Sequence, residues 1–570
     1  MFKKNDRHLQ TQMFSTIDSL PAKVRERLEQ SWAGTFYREF FSRIDEEVFG
    51  VLYSDVASRP NVPVNILISL EILKAGRGWT DEEMFDAFYF DIQVRFALGL
   101  YNLGEHQFES RTLYYFRARL TEHMQETGEN LLERVFEQVT DEQLSAFGLK
   151  TNDIRMDSTY VASNIRITSR LQLLVEVLQR VHRMLSEIDQ VRYADIFAPY
   201  VIGSSGQYVY RVRSEEGRDH IERIGMVMHQ LISDLVDDYA DEPAYQILQR
   251  VFNEQFIIEE SHPRPRERDE FPSRTLQSPD DPDATFRRKR DKAYTGYVTN
   301  VSETCDPDNH LQLIVKMQTA PNAVDDPTLL EEAMPDLERL GVRTLRTDGG
   351  YNNRQTAQSA DERGIEHIQT AIRGGSAKGP GLHHFQIGMS AAGAPVDITC
   401  PNGQKTSIQS KKPGRFIAHF DINLCEACPL RDQCPSKPLK RDPKQALYFD
   451  FHRIEIARRR QRIDAERRSG RNPRAAVEST VRSIKHPFRQ GKLPVRGLFR
   501  VTSMMLASAM MCNVRRIHRC VTPKTPERTG SPASAVATAS FETPILLFLR
   551  QLWTGFCLLD ARSVCMSVPN

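Results

Sequence analysis

"LKTNDIRMDSTYVASNI", residues 149–165, is where the chain changes its period. Ile154, Met156 and Ser158 alternate with Arg155, Asp157 and Thr159, the two-residue repeat of a strand. Asp157 is thereby a carboxylate carried on a strand. Residues from about 20 to 150 read as helices. "PVNILISLEILKAGRG" starts at Pro63 and ends in glycines, "TDEEMFDAFYFD" opens with a capping box from Thr80 to Glu83, and "TDEQLSAFGL" repeats that signature from Thr140 to Gln143. "FESRTLYYFRARLTEH" places Arg111, Arg117 and Arg119 beside Tyr114, Tyr115 and Phe116. That pattern is compatible with a helix presented to DNA and equally with an amphipathic core helix whose outer face is basic.

Beyond the strand, Leu171, Leu174, Leu178, Val181, Leu185 and Ile188 recur at steps of three and four, and Ile221, Ile224, Met228, Leu231 and Leu235 repeat the pattern. Two such seams joined by a loop predict an antiparallel helical hairpin inserted into the fold, or a dimer contact, with core packing the commoner use. The polar, proline-bearing residues 266–292 read as a loop or linker. "AYTGYVTNVSETC" and "LQLIVKMQTA" then predict a strand hairpin, "DPTLLEEAMPDLERLG" a helix, and "VRTLRTDGGYNN" a strand ending in glycine and asparagine. Asp348 falls at the carboxyl end of that strand, where Gly349 and Gly350 are expected to let the backbone turn away.

At 570 residues, 40% hydrophobic and 26% charged, the chain has the composition of an ordinary soluble protein of several domains. Its N-terminus has no apolar run of signal-peptide length, and "PILLFLRQLWTGFCLL" near the C-terminus is short and interrupted by Arg550. A net charge of +1 conceals an asymmetry: residues 451–500 hold 15 Lys and Arg against 4 Asp and Glu, a net of +11, leaving about −10 for the rest. One sign concentrated this way points to a polyanion partner. Within that stretch, "NPRAAVESTVRSIKH" spaces Arg474, Glu478, Arg482 and Lys485 four, four and three apart, within about 40° of one another on a helix. Read alone, such a stripe is a solvated salt-bridge ladder. With two strand-end aspartates it also supplies what phosphodiester cleavage needs. Two hard cations about 3.5–4 Å apart activate the attacking oxygen and stabilise the leaving one, and a few carboxylates hold them.

Asp157 in "IRMDSTY", Asp348 in "LRTDGGY" and the helix carrying Glu478 resemble the DDE transposases of bacterial insertion sequences. The resemblance runs from about residue 60 to 520 and implies an α/β fold: an RNase H-like catalytic domain with helical and zinc-binding insertions, preceded by an all-α N-terminal domain. It implies that Asp157, Asp348 and Glu478 are catalytic and bind Mg²⁺ or Mn²⁺, two ions in all. The family signature Tyr-x2-Arg-x3-Glu-x6-Lys is met by Arg474, Glu478 and Lys485, while Arg471 stands at the tyrosine position. Arg474, Arg482 and Lys485 are then expected to grip DNA.

The implied domains are residues 1–148, helical and DNA-binding; 149–520, catalytic, with a helical insertion at about 166–285 and a cysteine-bearing one at about 375–445; and an irregular tail, 521–570. Implied partners are double-stranded DNA, as element ends and target, and further copies of the chain as a homodimer or higher oligomer. The implied location is the bacterial cytoplasm, on the nucleoid, with no membrane. Rival readings are an RNase H-like nuclease that cuts without joining and an inactive DNA-binding regulator.

Nine cysteines over this length do not make a disulfide scaffold. Cys400 in "CPNG" and Cys425, Cys428 and Cys434 in "CEACPLRDQC" instead form a candidate four-thiolate structural zinc site, with His419 as a substitute ligand. The same arrangement resembles the cysteine-bearing insertion of this transposase branch.

Overall fold

The alternating stretch becomes strand β1 (Asp153–Val161), the centre of a mixed sheet. The computed structural model describes residues 1–522 apart from 11–14, 55, 57–59, 167, 273, 290–291, 371–379, 392, 440–441 and 469–473. Arg471 and nearly all of the expected tail therefore lie outside the described residues. The other strands of this sheet are β2 (Thr285–Lys289), β3 (Lys292–Thr304), β4 (Ile314–Pro321), β5 (Thr344–Thr347) and β6 (Glu366–Gln369). The order is β2-β3-β1-β5-β6, with β4 also paired to β3. β3 runs antiparallel to β1 and β4, whereas β5 lies parallel to both β1 and β6. The predicted hairpin, helix and final strand all form.

β2 lies inside the stretch read as a linker. Its sequence, "TFRRK", lacks an apolar alternation because it is a short edge strand, where exposed charge discourages further pairing.

Helices flank the sheet. α1 (Val64–Arg77), α2 (Ser110–Thr127) and α3 (Leu131–Ala146) precede it. α1 ends as its glycines predict, with Gly78 in left-handed conformation at φ 73°. Thr140, expected to start a helix, is buried inside α3, which Asn130 caps instead by accepting from Leu132 N. Between β1 and β2, α4 (Arg170–Met184), α5 (Gly217–Tyr239) and α6 (Pro243–Gln255) close a separate core containing Leu174, Val181, Met228, Leu235 and Leu248. The first seam stops at Leu185, so Ile188 is exposed. Shorter helices fill the connection between the two seams.

α7 (Asp326–Arg339) and α8 (Arg354–Glu362) follow the hairpin. A second sheet, antiparallel throughout, contains β7 (Gln386–Met389), β8 (Pro395–Thr399), β9 (Lys405–Lys412), β10 (Arg415–Asp421), β11 (Lys437–Pro438) and β12 (Lys444–Asp450). After it come α9 (Phe451–Arg468), α10 (Ala475–Lys485) and α11 (Leu498–Val521).

At residues 148 and 149 helices give way to a strand, but the core continues. Leu70 and Leu73 of α1, Val301 and Met317 of the sheet, and Met505, Met511 and Val514 of α11 belong to one apolar cluster. The approach is close: a Cβ at Gly76 would stand 2.2 Å from Met511 Cγ. One at Gly78 would meet the Pro487 carbonyl oxygen at 2.1 Å, just past α10. No helix among the described residues is long and apolar enough to cross a membrane.

Candidate active site

Parallel pairing sets Asp153 opposite Thr344, Ile154 opposite Leu345 and Arg155 opposite Arg346. The pairing ends at Arg155 and Arg346; two residues further along the same register come Asp157, still within β1, and Asp348, just past the end of β5. The electrostatics agree. Burial raises the Asp157 carboxyl above its ordinary range, the Arg474 guanidinium opposes that shift, and the Asp348 charge adds to it. After β5 the chain turns through an Asx bond in which Asp348 Oδ1 accepts from Gly350 N at 2.6 Å. Neither Gly349 nor Gly350 is among the described glycines with left-handed backbone, so that side-chain bond does the work expected of them.

Beneath the two aspartates lies Tyr351, fully buried, its hydroxyl donating to Asn300 Oδ1 at 2.7 Å. Burial pushes its phenol well above the ordinary value, and the charges of Asp326, Asp157 and Asp348 push it further. Ser158, on the opposite face of β1 from Asp157, donates to Asp326 Oδ1 at 2.7 Å. Tyr351 was visible in sequence as the tyrosine of "TDGGYNN"; Asp326 looked only like an acid in the first turn of a helix. Behind β5, Thr347 Oγ1 lies 2.7 Å from Nε2 of His367, whose pKa burial and then Arg459 lower to about 4.

α10 packs across β1 and β3 with Val477, Thr480 and Ile484 inward. The stripe read from sequence divides. Arg474, at the helix N-cap, sends Nη2 to Asp157 Oδ1 at 2.9 Å, with both side chains only 15% exposed. At the other end Lys485 Nζ donates to Thr159 Oγ1 at 3.1 Å and to the Tyr160 carbonyl at 2.9 Å. Burial, then the charge of Lys292, lowers its pKa. Glu478 and Arg482 are exposed and make no ion pair among the described residues. The structure thus joins Asp157, Asp348 and Arg474 and leaves the Glu478 carboxylate one helical turn further along. No three His, Cys, Asp or Glu side chains among the described residues are gathered into a group able to hold a metal ion.

A buried network fixes α10 on the sheet. Glu303 of β3, wholly buried, accepts from Arg155 Nε at 2.6 Å through Oε1. Its Oε2 accepts from Thr480 Oγ1 and Arg516 Nη1, each at 2.7 Å. Burial works against the Arg516 guanidinium, but Glu303 more than offsets it and its pKa is raised. Sequence reading missed Glu303, because in "NVSETC" it has the pattern of a solvent-facing strand residue.

The four candidate zinc ligands lie in one region but, as placed, do not form a group able to hold a metal ion. Cys400 follows β8, Cys425 lies in the short helix Ile422–Glu426, and Cys428 and Cys434 flank the turn after it. All four line one cavity of about 50 Å³ with Phe385, Phe420 and Leu430. Burial raises the Cys425 thiol, and Cys434, Cys400 and Cys428 add to the shift. His419 does not line the cavity: it alternates on β10 with Phe420, and its Nδ1 is buried without a partner. Of the remaining cysteines, Cys305 and Cys512 are buried, as expected, but Cys520 is exposed; Cys557 and Cys565 lie outside the described residues.

On α2 the basic-aromatic pattern splits as well. Arg117 is held by Glu71 and Asp81, with Nε to Glu71 Oε1 at 2.8 Å, and Phe116 is in the core. Arg111, Tyr114, Tyr115 and Arg119 remain exposed.

The sheet is mixed, with Asp157 in the middle of β1, not at its end as expected from the sequence, and Asp348 just past the end of the parallel strand β5. Residues 399–518 match the family model of a transposase DDE domain, which supports a DDE-type insertion-sequence transposase and implies an RNase H-like fold. The matched span includes the four cysteines, Glu478 and Arg516. No curated protein and no solved structure matches the chain.

Proposed function

We propose that the chain binds the ends of its mobile element, hydrolyses a phosphodiester there and joins the freed 3′ hydroxyl to target DNA. The observation that carries this reading is the placement of Asp157 beside Asp348 in a partly desolvated site. The donor set fits a hard divalent cation: carboxylate oxygens, one already raised in pKa by burial and a neighbouring negative charge. Asp157 and Asp348 would hold Mg²⁺ or Mn²⁺, with Glu478 completing the site from α10. When bound, two such ions supply activation of the attacking oxygen and stabilisation of the leaving one.

The protein's own groups do the rest. Arg474 neutralises Asp157 until substrate arrives and then grips a phosphate, Arg482 reaches the backbone from the exposed face, and Lys485 braces the strand end. Residues 1–148 serve as the DNA-binding part, and two or more copies assemble on the paired ends. Cys400, Cys425, Cys428 and Cys434 are the residues that would hold a structural zinc: they line one cavity, although as placed no three of them form a metal-holding group.

The test is a cleavage and strand-transfer assay with Mg²⁺ or Mn²⁺ on labelled DNA carrying the flanks of the gene, comparing the intact protein with Asp348→Ala. Metal-dependent joined products that vanish in the variant support transposition. Cut but unjoined products replace it with a nuclease, and uncut but bound ends replace it with a regulator.

A further inference from the structure

A large groove lies not at the carboxylates but in the N-terminal helical region. Its volume, about 1790 Å³, exceeds the ~300–1,000 Å³ of a small-molecule pocket. A groove of that size has room for an extended chain. The N-terminal segment brings Lys3, Lys4 and Arg7 to its rim, and α2 brings Arg119. Against these four cations stand Asp6 and Glu109. Lys3, Lys4 and Arg119 form no ion pair with a carboxylate among the described residues, so their charge is available to a ligand.

Aromatic rings are interleaved with these charges. Phe90 is 80% exposed and Tyr115 52% exposed, and both rings line the one groove. The guanidinium of Arg119 stacks 5.0 Å from the Tyr53 ring centroid, and that of Arg111, beside the groove, lies 5.4 Å from Tyr115. Duplex DNA presents phosphates and hides the faces of its bases, so cations alone would suffice to hold it. Open ring faces between cations suit unpaired bases that stack while the backbone is neutralised.

We infer that this groove binds a short single-stranded DNA segment, its bases stacked on Phe90 and Tyr115 and its phosphates held by Lys3, Lys4 and Arg119. The inference rests on the DNA-processing reading above and adds a second, non-catalytic contact for strands separated at the element end.

The experiment is fluorescence anisotropy of a labelled oligothymidylate dodecamer, and of a duplex of the same length, titrated with the full chain. Phe90→Ala/Tyr115→Ala is expected to weaken single-strand binding ~10-fold or more, the scale of lost base stacking, and to change duplex binding less than ~2-fold. Lys3→Gln/Lys4→Gln is expected to lower the salt dependence of single-strand binding. All four side chains are exposed, and a thermal melt matching the parent protein verifies each fold. Unchanged single-strand affinity, or equal loss on duplex and single strand, overturns the inference. Cleavage separates the two readings. If Asp348→Ala abolishes cutting while the groove variants bind normally, the groove assignment alone fails; if Asp348→Ala still cuts, the catalytic reading fails whatever the groove binds.

Discussion

Arg474 and Asp157, 317 residues apart in sequence, meet at 2.9 Å and tie the start of α10 to the middle of β1. The same contact offsets the cost of a desolvated carboxylate whose neighbour, Asp348, is also acidic. Removing the guanidinium leaves that charge buried and unpaired. Arg474→Ala should cost about 2–3 kcal/mol at neutral pH, somewhat below a fully buried pair because both groups keep some solvent contact. The sign with pH follows from the raised carboxyl. Its contribution is fully present below its ordinary pKa and is lost as pH rises through the higher folded value. The deficit of the variant, read from urea midpoints, should therefore shrink at acid pH.

His367 titrates the opposite way. Its folded pKa of about 4 lies below the ordinary 6.5, so the unfolded chain takes up a proton first. Stability should be fully present above pH 6.5 and fall as pH drops toward 4, by up to about 3 kcal/mol from this group alone. Denaturant titrations across that window should show the slope, and His367→Gln should flatten it.

Glu303 holds three donors without solvent. Glu303→Gln leaves both guanidinium groups without their counter-charge and should cost about 3 kcal/mol. Thr480→Val removes two hydrogen bonds, the one Thr480 donates to Glu303 and the one it accepts from Arg516 Nη2, and should cost about 2 kcal/mol. Hydrogen exchange should quicken in α10 in both variants, because Thr480 anchors that helix to the sheet.

Glu478 is exposed, so Glu478→Gln should leave the melting temperature within about 1 °C of the parent. Metal-dependent cleavage should fall by ~100-fold or more while duplex binding persists. Cleavage at the parental rate would remove Glu478 from the site.

Elemental analysis of protein purified without chelators should find one zinc per chain, lost in Cys425→Ser/Cys428→Ser. Stripping the metal should lower the melting temperature, since thiolate binding and folding are linked.

Much of this was legible in sequence because periods and punctuation are local. The alternation around Asp157, the Asp348 strand end and the glycine stop of α1 needed only neighbouring residues. What escaped detection depends on partners far apart in the chain. Nothing near Glu303 announces that Arg516 will cover it, and nothing near Arg474 announces an aspartate. An even stripe on a helical wheel cannot reveal that its two ends bend toward a strand while its middle faces water. Edge strand β2 was hidden for a related reason: an edge is protected by the same charge that marks a loop.

The last described helix, α11, closes the core that the first helices begin, with Met511 against Gly76 and His518 Nδ1 2.9 Å from Thr35 Oγ1. Leu70 and Leu73 thus wait through most of translation for their packing surface, and an interrupted copy of the gene yields a chain with that surface still open. A chain stopped before residue 510 therefore lacks the Met511 and Val514 side chains that complete this core.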